Sequence, residues 1–183
     1  MAISDEELFV SYRRGDEGAL EELLSRHRGP LFNVIYRMTG DWHEAEDIFQ
    51  ETFVRVFNHR AKFDSGLKFS SWLYSIATNL CRDLHRKRAR SPVVAAAEPP
   101  ELAGGLNPER ELMESEIKSA IGAALATLPE EQREVFLLRE YGGLSFKEIA
   151  KLTRTNLNTV LGRMHLAMKK LKSELMALAE DEG

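Results

Sequence analysis

The 183-residue chain is 43% apolar and 30% charged, a composition that folds and excludes wholesale disorder. It has no apolar run near the ~20 residues of a membrane span, and Met1–Glu7 lack the basic and apolar stretches of a secretory leader. Cys81 is the only cysteine, which excludes an internal disulfide and a cysteine zinc site and fits a reducing cytoplasm, while a net charge of −4 excludes a uniformly basic polyanion binder.

Nearly every segment reads as helix. Ser4-Asp5-Glu6-Glu7 is a capping box that opens a short helix ending near Gly15. A second helix starts near Asp16, meets Pro30 with an expected kink or break, and stops at Gly40. Asp41-Trp42-His43-Glu44 has the spacing of another capping box, and its helix reaches about Asn58. A loop from Ala61 to Lys68 contains Asp64-Ser65-Gly66. The fourth helix, Ser70 to Arg88, carries an apolar stripe of Phe69, Trp72, Leu73, Ile76, Leu80 and Leu84. Residues 91–107 hold three prolines and a Gly-Gly pair, and read as a flexible linker.

A second domain starts near Pro108, with Met113, Ile117, Ala120, Ile121 and Ala124 on one stripe. Pro129 suits the first helical position after Leu128, and that helix carries Val135, Phe136 and Leu138 to Gly142-Gly143. Ser145-Phe146-Lys147-Glu148 is a further capping box, opening a helix with Ile149, Ala150 and Leu152 inward. Thr153-Arg154-Thr155-Asn156 is a turn, with Asn156 a good N-cap for the last helix. In that last helix Leu157, Val160, Met164, Leu171 and Leu175 face inward, while Asn158, Leu161, Gly162, His165, Lys169 and Lys172 face outward. The fold class is therefore all-α: two small helical domains, residues 1–90 and 108–183, joined by a flexible linker, the C-terminal one a helix-turn-helix.

The net charge hides a segregation. Residues 82–90 hold five bases and one acid, residues 147–172 seven bases and one acid, and residues 111–140 three bases and seven acids. Local field rather than net charge attracts a polyanion. Short polar side chains at the start of the last helix, with cations further along, are what a major groove requires. Lysines suit phosphates, and Asn158, Arg163 and His165 suit base edges or the sugar-phosphate chain. An amphipathic hairpin with a wet basic face has the same pattern. A membrane-surface helix fits less well, because the polar face lacks flanking aromatics. No catalytic constellation emerges. His27, His43, His59, His85 and His165 are scattered, and no glycine loop cradles phosphate, so neither metal nor cofactor is expected.

Four stretches carry a resemblance. They are Glu46-Asp47-Ile48-Phe49-Gln50-Glu51-Thr52-Phe53-Val54-Arg55-Val56-Phe57, then Phe63-Asp64-Ser65-Gly66, then Phe69-Ser70-Ser71-Trp72-Leu73-Tyr74-Ser75-Ile76-Ala77-Thr78-Asn79-Leu80, and finally Leu128-Pro129-Glu130-Glu131-Gln132-Arg133-Glu134-Val135-Phe136. In this order, with the basic run and the helix-turn-helix, the chain resembles the sigma-70 family of bacterial transcription initiation factors in its small extracytoplasmic-function (ECF) form.

The resemblance implies a non-catalytic protein that gives core RNA polymerase its promoter. Asp47, Gln50, Glu51 and Arg55 would dock on the β′ clamp, and the second domain on the β flap. Lys62, Ser65, Lys68 and Asn79, with Arg82, Arg86, Lys87, Arg88 and Arg90, would recognise the minus-10 element and track phosphates. Capturing an unstacked base there offsets part of the few kcal/mol that unstacking costs. Phe69 and Trp72 are candidate stacking platforms, but their apolar stripe favours the core. Asn158, Thr159, Leu161, Gly162, Arg163, His165 and Lys169 would read the minus-35 element. An anti-sigma factor is a further implied partner; membrane insertion is not. The chain departs from the family at Arg154, where a glycine is common, and at Leu161, Gly162 and Leu166, which replace common polar or basic residues. Residue patterns alone also leave open a stand-alone helix-turn-helix regulator or a helical adaptor.

Overall fold

Local acceptors start most of the helices. In a computed structural model describing residues 3–63, 68–90 and 120–181, these are α1 (Asp5–Arg13), α2 (Glu17–Thr39), α3 (Trp42–Asn58), α4 (Phe69–Arg90), α5 (residues 120–126), α6 (Glu130–Glu140), α7 (Phe146–Thr153) and α8 (Leu157–Asp181). Ser4 and Ser145 form complete capping boxes with Glu7 and Glu148. Asp16, Asp41 and Asn156 accept from the amides of Ala19, Glu44 and Thr159 at 3.3, 2.9 and 2.8 Å. Gly40 ends α2 at φ 71°, in the left-handed region that glycine enters without strain. Among the described residues the regular structure is helical throughout, including a 3-10 turn at Arg60–Lys62. The expected loop Asp64-Ser65-Gly66, the linker 91–107 and the positions of Met113 and Ile117 lie outside the described residues.

Two expectations change. α2 runs unbroken through Pro30, which sits exposed on its outer side while Leu23, Leu31, Val34 and Ile35 bury the opposite side. The amide that proline removes falls on a water-facing turn, and burial before and after it holds the helix together. Leu157 and Leu175, expected inside, are 37% and 38% exposed. Val160 and Leu171 are buried as expected and Ala167 joins them, on the face of α8 that packs against α6 and α7.

In the first domain an aromatic cluster joins α1 to the start of α4, with His27 of α2 against it. Phe9 lies 4.9, 5.1 and 5.5 Å (ring centroids) from Phe63, Phe69 and Trp72. Edge and tilted contacts of this kind add to area burial, and they make Phe69 and Trp72 packing groups. Glu6 of α1 accepts from the amide of Phe69 at 2.8 Å, pinning the start of α4. Cys81 of α4 is fully buried, and loss of solvation and then the Glu134 charge push its thiol up to about 12.

The second domain is smaller: Leu125, Val135, Leu137, Leu138, Leu144, Ile149, Val160 and Ala167 form its centre. Gly142 is required there, since a Cβ would stand 2.7 Å from the Leu138 carbonyl oxygen. The domains touch, α6 lying against α2 and α7 against α4.

Candidate nucleic-acid interface

Helix periodicity gives α3 two faces. Ala45, Ile48, Thr52 and Val56 bury, with the Thr52 hydroxyl donating to the Ile48 carbonyl at 2.7 Å. Asp47 and Gln50 are exposed on the opposite side, and Glu51 and Arg55 are half-buried. Arg55 Nε donates to Glu51 Oε1 at 2.7 Å, an i,i+4 pair that fixes both side chains. Val54 and Phe57 join this outer face, 50% and 52% exposed. Sequence reading passed over both. The signal was their spacing: Val54 follows Gln50 by four residues and Asp47 by seven, so it shares their stripe. Two exposed apolar groups beside fixed charges mark a protein-docking surface better than charges alone.

The basic run along α4 divides in two. Arg88 points back into its own domain, donating to the Thr39 carbonyl at 2.8 Å and pairing with Glu44. His85 Nε2 lies 3.0 Å from the Met38 carbonyl oxygen. These two side chains serve the end of α2. Arg82 donates to exposed Asn79 at 3.1 Å and to Glu134 of the second domain at 2.5 Å. Exposed Lys68 stands 3.0 Å from Glu148, also of the second domain. Arg86 pairs with neighbouring Asp83, while Lys87 and Arg90 are exposed. The side chain of Lys62, and Ser65 altogether, lie outside the described residues.

On α8 Asn158, Leu161, Gly162, His165 and Lys169 are exposed together, with Leu166 and Lys172 beside them. Nothing stands within 4 Å of where a Gly162 Cβ would be, so packing does not demand that glycine. Thr159 is held closer in, its hydroxyl 3.0 Å from Asn156 Oδ1. Arg163 turns toward α6, 3.6 Å from Glu131. Arg154, in the turn, takes φ 54° and ψ 38°, and is the one non-glycine residue at positive φ among those described. That conformation strains a side-chain-bearing residue.

Two carboxylates respond oppositely to their surroundings. For Glu148 burial alone raises the pKa, but hydrogen bonds from the Ser145 hydroxyl and amide, joined by Lys68, outweigh it and hold the group down to about 2. Glu134, 6% exposed, is raised by loss of solvation against the opposing pull of Arg82. Among the described residues no His, Cys, Asp or Glu cluster forms a metal site, and no helix is long and apolar enough to cross a membrane.

Residues 23–91 match the family model for sigma-70 region 2, and residues 118–171 that for sigma-70 region 4. SigE of Mycolicibacterium smegmatis, an ECF RNA polymerase sigma factor, is 36% identical over 88% of this chain, which spans only 64% of that protein. SigW of Bacillus subtilis, also an ECF RNA polymerase sigma factor, is 33% identical over 91% of this chain and 94% of its own. The solved structure of CnrH in complex with the cytosolic domain of CnrY aligns at a TM-score of 0.71 and 25% identity, covering 94% of this chain and 97% of that one. The sigma factor RpoE, solved with the anti-sigma factor NepR from Bartonella quintana, shares the fold at a TM-score of 0.70 and 22% identity, over 86% of this chain and 96% of that one.

Proposed function

The chain belongs to the sigma-70 family, in its ECF branch, and from that membership we propose that it binds core RNA polymerase and directs it to promoters. The observation that carries this reading is the outer face of α3, where Asp47, Gln50, Val54 and Phe57 form a mixed polar and apolar stripe separate from either basic segment. A stand-alone regulator needs no such face and generally reads a two-fold site as a dimer.

The domains are residues 1–90 and 108–183, linked by residues 91–107. In this assignment α3 docks on the β′ clamp through Asp47, Gln50, Glu51 and Arg55, with Val54 and Phe57 as its apolar centre. Lys68, Asn79, Arg82, Arg86 and Lys87, with Lys62 and Ser65, serve the minus-10 element. Arg88 acts indirectly by holding α2 and α4 together. The exposed α8 face from Asn158 to Lys169 serves the minus-35 element, and the second domain also meets the β flap. CnrH was solved with the cytosolic domain of CnrY and RpoE with the anti-sigma factor NepR, which supports an anti-sigma partner for this chain. The protein works in the cytoplasm, without catalytic groups.

The test adds purified protein to core polymerase and transcribes a library of genomic fragments. Specific start sites are expected; none at all would leave the stand-alone regulator as the better reading. Replacing Asp47 and Gln50 by alanine should weaken polymerase binding while the helical circular dichroism stays unchanged.

A further inference from the structure

Among the described residues, six of the nine large apolar side chains left exposed lie on α8. Single exposed apolar groups are ordinary on a protein surface, but a concentration on one helix asks for an occupant. Leu161, 42% exposed, belongs to the face assigned to minus-35 DNA, and Leu166, 50% exposed, borders it. At 3.6 residues per turn the two stand about 140° apart around the helix. Asn158, Gly162, His165 and Lys169 run between them, all exposed. The major groove is about as wide as an α-helix with its side chains, so a helix lying in it fills it. A face with this layout sets its middle line on the groove floor and turns one leucine toward each side.

The polar half of the reading code is sparse. Arginine and lysine make the commonest contact to guanine. From Leu157 to Met168 the one such residue is Arg163, and it turns away toward Glu131, 3.6 Å distant. The Thr159 hydroxyl is engaged with Asn156 at 3.0 Å. Asn158 and His165 are left as the hydrogen-bonding side chains of this stretch. Gly162 adds a third point. Glycine weakens a helix interior, and no atom stands within 4 Å of its Cβ position to require it. The missing side chain lets the backbone lie closer to the base edges, and that approach carries Leu161 and Leu166 inward.

The major groove offers one apolar group, the C5 methyl of thymine. We propose that Leu161 and Leu166 read thymine methyls in the minus-35 element, so that this chain selects its promoters there by apolar contact rather than by an arginine or lysine on guanine. The proposal rests on the assignment of α8 to minus-35 DNA, and adds which base is selected and by which groups. A helix of a partner protein is the competing occupant. The row between the leucines argues for DNA, because the centres of protein interfaces are depleted in charged residues such as Lys169.

The experiment uses the full chain with core polymerase and a promoter taken from its mapped start sites. Each thymine of the minus-35 element, on both strands, is replaced in turn by uracil. The exchange deletes the methyl group, keeps the base pair and leaves the protein untouched. Competition between the duplexes for the holoenzyme is measured. Binding should weaken about fourfold at each thymine that meets a leucine, the effect of one buried methyl-sized group. In Leu161→Ala the loss at one thymine should vanish, and in Leu166→Ala the loss at another. The double variant should bind thymine and uracil duplexes alike. Equal binding of all the duplexes by the unsubstituted protein overturns the proposal. A uracil loss that survives in the double variant, or a minus-35 element without thymine, overturns it too. If the double variant instead binds core polymerase more weakly in the absence of DNA, the leucines meet protein and the proposal falls. Specific starts without any uracil effect leave the sigma assignment standing and sink the methyl reading alone. No specific starts at all removes the assignment, and the proposal with it.

Discussion

The basic run of α4 and the basic face of α8 look alike in sequence, and the protein uses them differently. Along α4, Arg82 and Arg88 are occupied by the chain itself: Glu134 takes one, and Thr39 with Glu44 the other. On α8, Lys169 and Lys172 stand exposed beside His165. Lys170, between them in sequence, turns back to the Thr127 carbonyl at 2.5 Å. A cluster of cations is thus not one object. Some hold helices together, some hold domains together, and some face solvent.

Removing Arg88 should break this comparison most visibly. Arg88→Ala frees the Thr39 carbonyl and the Glu44 carboxylate together and should destabilise the first domain by roughly 1–3 kcal/mol. A urea midpoint that does not move would put Arg88 back among the phosphate contacts. Glu148 gives a somewhat smaller effect with a pH signature. Its folded pKa lies below the ordinary carboxylate value, so its contribution is full above about 4.5 and fades as pH falls toward about 2. Glu148→Ala should therefore cost roughly 1–2 kcal/mol at pH 6, and the gap to the unsubstituted protein should narrow in denaturation at pH 3. A constant gap would mean that the charge is not what matters.

On α8 the expected loss is in binding, not in folding. Lys169→Ala with Lys172→Ala should leave the melting temperature in place and flatten the salt dependence of promoter binding by about 1 for each phosphate no longer neutralised. An unchanged slope would show that exposure alone does not mark a DNA contact. The smallest effects concern backbone. Arg154→Gly should raise stability by about 1 kcal/mol by relieving the left-handed strain. Gly162→Ala should do the same through helix propensity, since space for the methyl group is open. If Gly162→Ala also weakens promoter binding, DNA approaches the α8 backbone at that point.

Most of the fold was legible in the sequence because its signals are local. Ser4, Asp16, Asp41, Ser145 and Asn156 each cap a helix from within three residues, and Gly40 ends one. The left-handed turn at Arg154 had a hint only in the resemblance, since the family commonly has a glycine there. What stayed hidden depends on partners far along the chain. Arg88 reaches back 49 residues to Thr39, and Arg82 reaches forward 52 to Glu134. Composition cannot separate such cations from free ones. Leu157 and Leu175 misled for a related reason, since periodicity shows which face is apolar but not how far the neighbouring helices extend along it.

Cys81 has a consequence for signalling. Burial holds this thiol far above its ordinary value, up to about 12, which keeps it protonated at neutral pH, and the thiolate is the form that oxidants and electrophiles attack. As the single cysteine of these 183 residues, it is a poor receiver of an oxidative signal while it stays buried. A redox stimulus would reach this thiol only if that burial were first undone.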